Sequence, residues 1–201
     1  MEVGQTAGAF RITGQAQGAT SDRRQSDSER SGGSAQEGAE KEGLIRNHLV
    51  KIKVAWIGKT KEPAIQALTD EYLKRIGHYA EIAGVALKDE AAILSLASGE
   101  RQQKRQQKND RHKLVLLDSR GKQLSSEELA EFLEREQINA APVLFAIGGS
   151  DGFGDEARRQ AGFTLSLGKM TLPHELARVV LVEQLYRAFT ILKKHPYHLG
   201  H

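Results

Sequence analysis

A chain of 201 residues with 39% apolar side chains holds one domain of ordinary size plus a tail. It has no cysteine, which excludes a disulfide framework and a cysteine-ligated metal, and no run near the roughly 18 apolar residues of a membrane span. Residues 1–49 carry 6 basic and 7 acidic side chains, leaving 23 and 19 of the chain's 29 and 26 beyond them. The remainder is mildly basic, compatible with a polyanionic partner without requiring one. No charged start followed by an apolar stretch opens the chain, which predicts a cytoplasmic protein that uses no membrane.

Residues 1–43 are rich in Gly, Ser, Gln, Glu and Arg, with Phe10 as their one aromatic. Such a segment buries too little to offset its ordering entropy, so disorder is expected. The character changes at Lys51. Ile52–Ile57 is β-branched and aromatic and stops at Gly58, the pattern of a strand. Pro63 opens a helix whose Ile65, Leu68, Tyr72, Leu73 and Ile76 share one face. Glu81–Leu87 reads as a second strand, weakened by Gly84. A helix is expected from Asp89 to about Asn109, and its basic, glutamine-rich end (Gly99–Lys108) is either a phosphate-contacting surface or, more simply, a solvated face.

His112–Asp118 is a continuous apolar run that reads as a buried strand, with Ser119–Lys122 expected to turn the chain. Ser125 and Glu128 have the spacing of a capping box, with Leu124 placed to staple Leu129. Leu129, Phe132 and Leu133 form the inner stripe of that helix. Pro142–Ile147, Asp155–Ala161 and Phe163–Leu167 read as strand, short helix and strand, and a helix of about 21 residues runs from Pro173 to Lys193. Strands alternating with helices predict an α/β fold with a mainly parallel sheet covered on both faces. The last helix is apolar nearly all round, so burial nearly all round is expected, either in a monomer's core or, as favoured here, against a second copy.

Ligands of open α/β sheets sit beyond the carboxyl ends of strands. Three such ends carry loops that let backbone approach a ligand: Leu117 before Asp118, the Gly148-Gly149 pair, and Leu167–Leu172. Each alone could be an ordinary tight turn. No Gly-x-Gly-x-x-Gly and no Walker sequence is present. His195, His198 and His201 recur every third residue, but without a cysteine or acidic partner they suit acid–base or positioning work better than a metal. Arg178 lies four residues after His174, a cation and an imidazole near a helix start and suited to an anionic substrate; a pair with Glu175 is the plainer reading.

Six motifs stand in one order: Leu-Leu-Asp-x-x-Gly-Lys (116–122), Ile-Gly-Gly-x-Asp-Gly (147–152), Leu-Ser-Leu-x-Lys-Met-Thr-Leu-Pro-His (165–174), Arg-Val (178–179), Glu-Gln-Leu-Tyr-Arg-Ala (183–188) and His-Pro-Tyr-His (195–198). Together they resemble the ribosomal RNA large-subunit methyltransferase H family of the SPOUT superfamily, over about Lys51 to His198. The resemblance implies a trefoil-knotted α/β fold, binding of S-adenosyl-L-methionine in the knot and a homodimer; the histidines, lacking a cysteine or acidic partner, already argue for no metal. It further implies methylation of ring nitrogen 3 of a pseudouridine in the decoding-region hairpin of 23S ribosomal RNA, on assembled ribosomes.

Position by position, the resemblance assigns Leu117, Gly148, Leu167, Gly168, Lys169, Met170, Thr171 and Leu172 to the cofactor. It assigns His195, Tyr197 and His198 to substrate binding and catalysis, with Arg178 beside them; His198 is the first candidate base and Tyr197 orients it. The rival expectations are a SPOUT enzyme acting on another RNA and a non-catalytic ribosome-associated factor. Family members open on Met-Lys-Ile where this chain has Val50-Lys51-Ile52, so translation from Val50 is expected, with residues 1–49 an extension and 50–201 the domain. His201 replaces the family's short charged ending.

Overall fold

The computed structural model describes residues 49–100 and 111–199, the last two for their backbone alone. The expectations for residues 1–43, for the polar run through Lys108 and for His201 fall largely or wholly outside these. Five strands, β1 (Lys51–Ile57), β2 (Glu81–Leu87), β3 (Lys113–Gln123), β4 (Val143–Ile147) and β5 (Phe163–Ser166), form one sheet of order β2-β1-β4-β3-β5. Every pairing in it is parallel. The helices are α1 (Pro63–Ile76), α2 (Glu90–Ser98), α3 (Ser126–Ile138), α4 (Asp155–Gln160) and α5 (His174–Leu192), and a 3-10 turn closes the chain at Pro196–Leu199.

The period of two along each strand divides the core. Val54, Trp56, Val115, Phe145 and Ile147 pack with Leu133, Leu181, Leu185 and Phe189 of α3 and α5 on one face. Ala55, Leu114, Leu116 and Ala146 pack with Ile93 of α2 and Ala157 of α4 on the other. β4 is central and buried at all five positions, which is why its sequence is apolar without alternation. The capping box of α3 is complete: Ser125 Oγ accepts from Glu128 N, and Ser125 N donates to Glu128 Oε2 at 2.8 Å.

Three expectations are corrected. α2 stops at Ser98, because Gly99 turns left-handed (φ 77°) and its N–H closes onto Leu96 O. The turn expected at Ser119–Lys122 is instead a bulge within β3: Leu117 and Lys122 both pair with Leu165, and the residues between them arch out. Gly121 makes this possible, since a Cβ there would lie 2.7 Å from the backbone of Thr164 and Leu165. On α1, Leu68 is 47% exposed while Thr69 is fully buried, its hydroxyl satisfied by donating to Ile65 O at 2.7 Å. Within one copy α5 is buried on one side, and on the other Leu176 is 42% exposed and Val179 and Val180 are half-buried, the side expected to meet a second copy.

Candidate active site

A cavity of about 680 Å³ opens where the carboxyl ends of β4, β3 and β5 meet the start of α5. Its size suits a small organic ligand, and its place beyond the strand ends is where such ligands bind. The first wall is the β3 bulge. Asp118 Oδ1 accepts from Arg120 N at 3.0 Å and from Arg120 Nε at 3.3 Å. Its Oδ2 accepts from Arg158 Nη2 at 2.9 Å and Nε at 3.1 Å. Arg120 first, then Arg158, holds the carboxyl down at about 2 against the opposing effect of burial. Arg158 Nη1 also meets Asp155 Oδ1 at 3.5 Å and Asp151 lines the cavity, so carboxylates balance the two guanidinium groups at this rim.

The second wall is the turn after β4, where Gly152 N donates to Gly149 O at 3.2 Å. A Cβ on Gly148 would lie 2.9 Å from the carbonyl of Gly152, so main chain packs on main chain. The third wall follows β5. Buried Ser166 donates through Oγ to Gly168 O at 2.8 Å and accepts from Gly168 N at 3.3 Å. Gly168 (φ 146°) then swings the chain past Met170, 83% exposed, into Pro173 and α5.

Leu117, Gly148, Leu167, Gly168, Met170, Thr171 and Leu172 all line this cavity; Lys169, between them, points to solvent and does not. Sequence reasoning missed Asp118, Arg158 and Ser166 as lining residues. Asp118 had a local signal, an acceptor two residues before Arg120 N–H that can close an Asx turn. Arg158 had none, because its carboxylate lies 40 residues back in the chain.

The placing of Arg178 with His174 needs correction. His174 lines the cavity, whereas Arg178 is 1% exposed and turns into the core. Its guanidinium lies 4.3 Å from the Trp56 ring centroid, Nε donates to Thr69 Oγ1 at 3.2 Å, and Nη2 has no partner. Burial lowers its pKa, countered only partly by Glu175 and Asp70, and no described carboxylate is within ion-pair distance.

The tail also lies apart from the cavity. Lys194 (φ 53°) reverses the chain and His195 N donates to Thr190 O at 2.8 Å, so the 3-10 turn folds back along α5. Tyr197 N–H donates to His195 Nδ1 at 3.3 Å. The Tyr197 hydroxyl donates to Glu183 Oε1 at 3.3 Å. Burial first, then hydrogen bonding with Tyr72, pushes the phenol up to about 12, so it is neutral at physiological pH. Neither His195 nor Tyr197 lines the cavity, and the His198 side chain is outside the described residues.

The family model described as "Predicted SPOUT methyltransferase" matches residues 50–198. The chain is 53% identical over 154 residues to the Ribosomal RNA large subunit methyltransferase H of Koribacter versatilis, covering 76% of this chain and 100% of that one. It is 43% identical over 152 residues to the protein of the same name from Geobacter sulfurreducens, covering 74% and 99%. Among solved structures, the SpoU methyltransferase AviRb from Streptomyces viridochromogenes, in complex with AdoMet, is similar at 12% identity and a TM-score of 0.43, covering 70% of this chain and 58% of that one. A glycine-walled cavity at three parallel strand ends, in a chain that matches relatives of one name over nearly their whole length, places it in the SPOUT methyltransferase family, among the ribosomal RNA large-subunit methyltransferase H proteins.

Proposed function

We propose that this protein methylates ring nitrogen 3 of a pseudouridine in the decoding-region hairpin of 23S ribosomal RNA, on assembled ribosomes in the cytoplasm. The observation that carries the proposal is the cavity at the β3, β4 and β5 ends, in a chain whose relatives are named for methylating large-subunit ribosomal RNA. The cavity fits S-adenosyl-L-methionine: it has the volume, and its second wall packs so closely that a Cβ at Gly148 would deform it. Leu117, Gly148, Leu167, Gly168 and Leu172 would hold the cofactor, largely through backbone. When bound, it supplies an electrophilic methyl group.

The chain's own residues then align, shield and move a proton. The target nitrogen carries a proton that must leave, and His198 accepts it. Tyr197, protonated at neutral pH, serves as a donor that orients the tail rather than as a base.

The separation of tail and cavity supports a homodimer in which one copy's tail completes the other's cavity. Leu176, Val180, Glu183 and Arg187 follow one stripe of α5, apolar at its start and bordered by the tail at its end. A second copy on that stripe would meet the tail. Between Gly168 and His174 the knotted threading of this fold is part of the proposal.

The test is mass mapping of 23S ribosomal RNA from a deletion strain complemented with wild type or His198→Ala. The deletion is expected to lack one methyl group on a pseudouridine, restored by wild type only. His198→Ala should bind cofactor within about twofold of wild type. A complete modification map in the deletion strain would refute the proposal, and wild-type-like turnover by His198→Ala would refute its role.

A further inference from the structure

The tail is fastened by an unusual concentration of groups. All four tyrosines of the chain, Tyr72, Tyr79, Tyr186 and Tyr197, meet in one cluster where α1, α5 and the 3-10 turn converge. Tyr197 stands edge-on to Tyr186 at 4.8 Å, the closest ring pair, and the Arg187 guanidinium lies 5.3 Å from its centroid. One carboxylate joins these parts. Glu183 Oε1 accepts from Arg187 Nη2 at 3.0 Å and Nε at 3.2 Å, as well as from the Tyr197 hydroxyl. Its Oε2 accepts from Gln184 Nε2 at 2.6 Å, and Gln184 Oε1 accepts from Ser126 Oγ of α3 at 2.9 Å. Glu183 and Arg187 are each only 19% exposed, so the junction is shielded enough to matter.

We infer that Glu183 is a positioning residue for methyl transfer: its carboxylate, gathering Arg187 and Tyr197, sets where the His195–His198 segment stands relative to α5. Three features distinguish this from a surface ion pair. The carboxylate serves three donors rather than one. One of those donors is carried by the tail, immediately before the candidate base. The ring it carries is seated on Tyr186, itself packed against Tyr72 and Tyr79, so the hydroxyl arrives at Glu183 in one orientation. Loss of Glu183 leaves the aromatic seat and the Tyr72 hydroxyl in place but removes the acceptor that Tyr197 and Arg187 share. The tail then stays near α5 without a fixed register.

The inference rests on the proposal that the tail is the reactive edge, so Glu183→Ala and Glu183→Gln are measured beside His198→Ala in the full chain. In Glu183→Ala, S-adenosyl-L-methionine affinity by calorimetry should stay within twofold. Turnover on ribosomes should fall at least tenfold with KM changed less than threefold. Amide exchange at His195 and Tyr197 should quicken at least tenfold while that of β4 is unchanged. Glu183→Gln, which keeps an acceptor for Tyr197, should recover much of the turnover, and it carries the test if the alanine variant does not fold. Wild-type turnover in Glu183→Ala alongside an inactive His198→Ala overturns the role of Glu183 alone. Wild-type turnover in both overturns the tail's role and this inference with it. Unchanged tail exchange in Glu183→Ala also overturns it, whatever the rate.

Discussion

Gly121→Ala tests the link between the β3 bulge and the cavity. An added Cβ would sit 2.7 Å from three backbone atoms of Thr164 and Leu165, where ordinary contact needs about 3.4–4 Å, so β5 must retreat by roughly 0.7 Å or more. Backbone cannot rotate away as a side chain can. Overpacking of this kind costs about 1–3 kcal/mol, and parting Lys122–Gln123 from Leu165–Ser166 forfeits up to two ladder bonds at about 1 kcal/mol each. The expected loss is therefore about 3–4 kcal/mol, roughly 6–15 °C in Tm for a domain of this size. Because Leu165, Ser166 and Leu167 line the cavity, cofactor affinity should fall at least tenfold. Gly149→Ala is the control for stability alone, since its Cβ would meet nothing closer than Ile57 Cγ2 at 3.8 Å although the residue lines the cavity. Thermal unfolding and calorimetric titration of both variants read the effect. A Gly121→Ala protein within 2 °C of wild type and with unchanged affinity would refute the reasoning.

Three other variants probe separate parts. Asp118 has a folded pKa of about 2 against an ordinary 3.8, so ionised Asp118 stabilises the fold above pH 4, and that contribution is lost as pH falls through 2. Asp118→Asn should thus cost about 1–2 kcal/mol at pH 7 in urea unfolding, discounted for the 70% exposure of Arg120, and the gap should narrow below pH 4; a pH-independent gap contradicts this. Arg178 is a buried cation without a carboxylate, so Arg178→Met should leave unfolding free energy unchanged or raise it by about 1–2 kcal/mol, with cofactor affinity within twofold; a loss above about 3 kcal/mol would show that the charge is well compensated. Leu176→Arg places a charge on the open stripe of α5, and sedimentation should then find monomers with little change in Tm; a dimer as tight as wild type would sink the proposed interface.

The strands were legible because their apolar runs report burial directly. β4 was found within a residue from Val143–Ile147 alone. What escaped depended on partners distant in sequence. The β3 bulge reads as a turn, since Ser119-Arg-Gly has turn chemistry and nothing local announces that Leu165 will hold both ends. Thr69 supplants Leu68 in the core because a hydroxyl is needed under Arg178, a contact 109 residues away. The end of α2 was carried by Gly99, which a helix-compatible polar run beyond it obscured. Three glycine-bearing strand ends marked the cavity's walls, because only backbone can stand that close. The inward turn of Arg178 could not be read, since its spacing from His174 fixes a helix face and not what that face meets.

α5 acts as a ruler. It carries a cavity wall at His174 and the seat of the tail at Glu183–Arg187, with the tail's root at Leu192 about 27 Å from His174 at roughly 1.5 Å per residue. One residue inserted midway would advance the tail by only about 1.5 Å but swing it, with Tyr186 beneath it, roughly 100° about the helix axis and away from Tyr72. Four would nearly restore the angle while lengthening the span by about 6 Å. Length variation in this helix is therefore quantised by its pitch, whereas the bulge between Leu117 and Lys122, anchored at both ends on Leu165, can grow or shrink without altering that span.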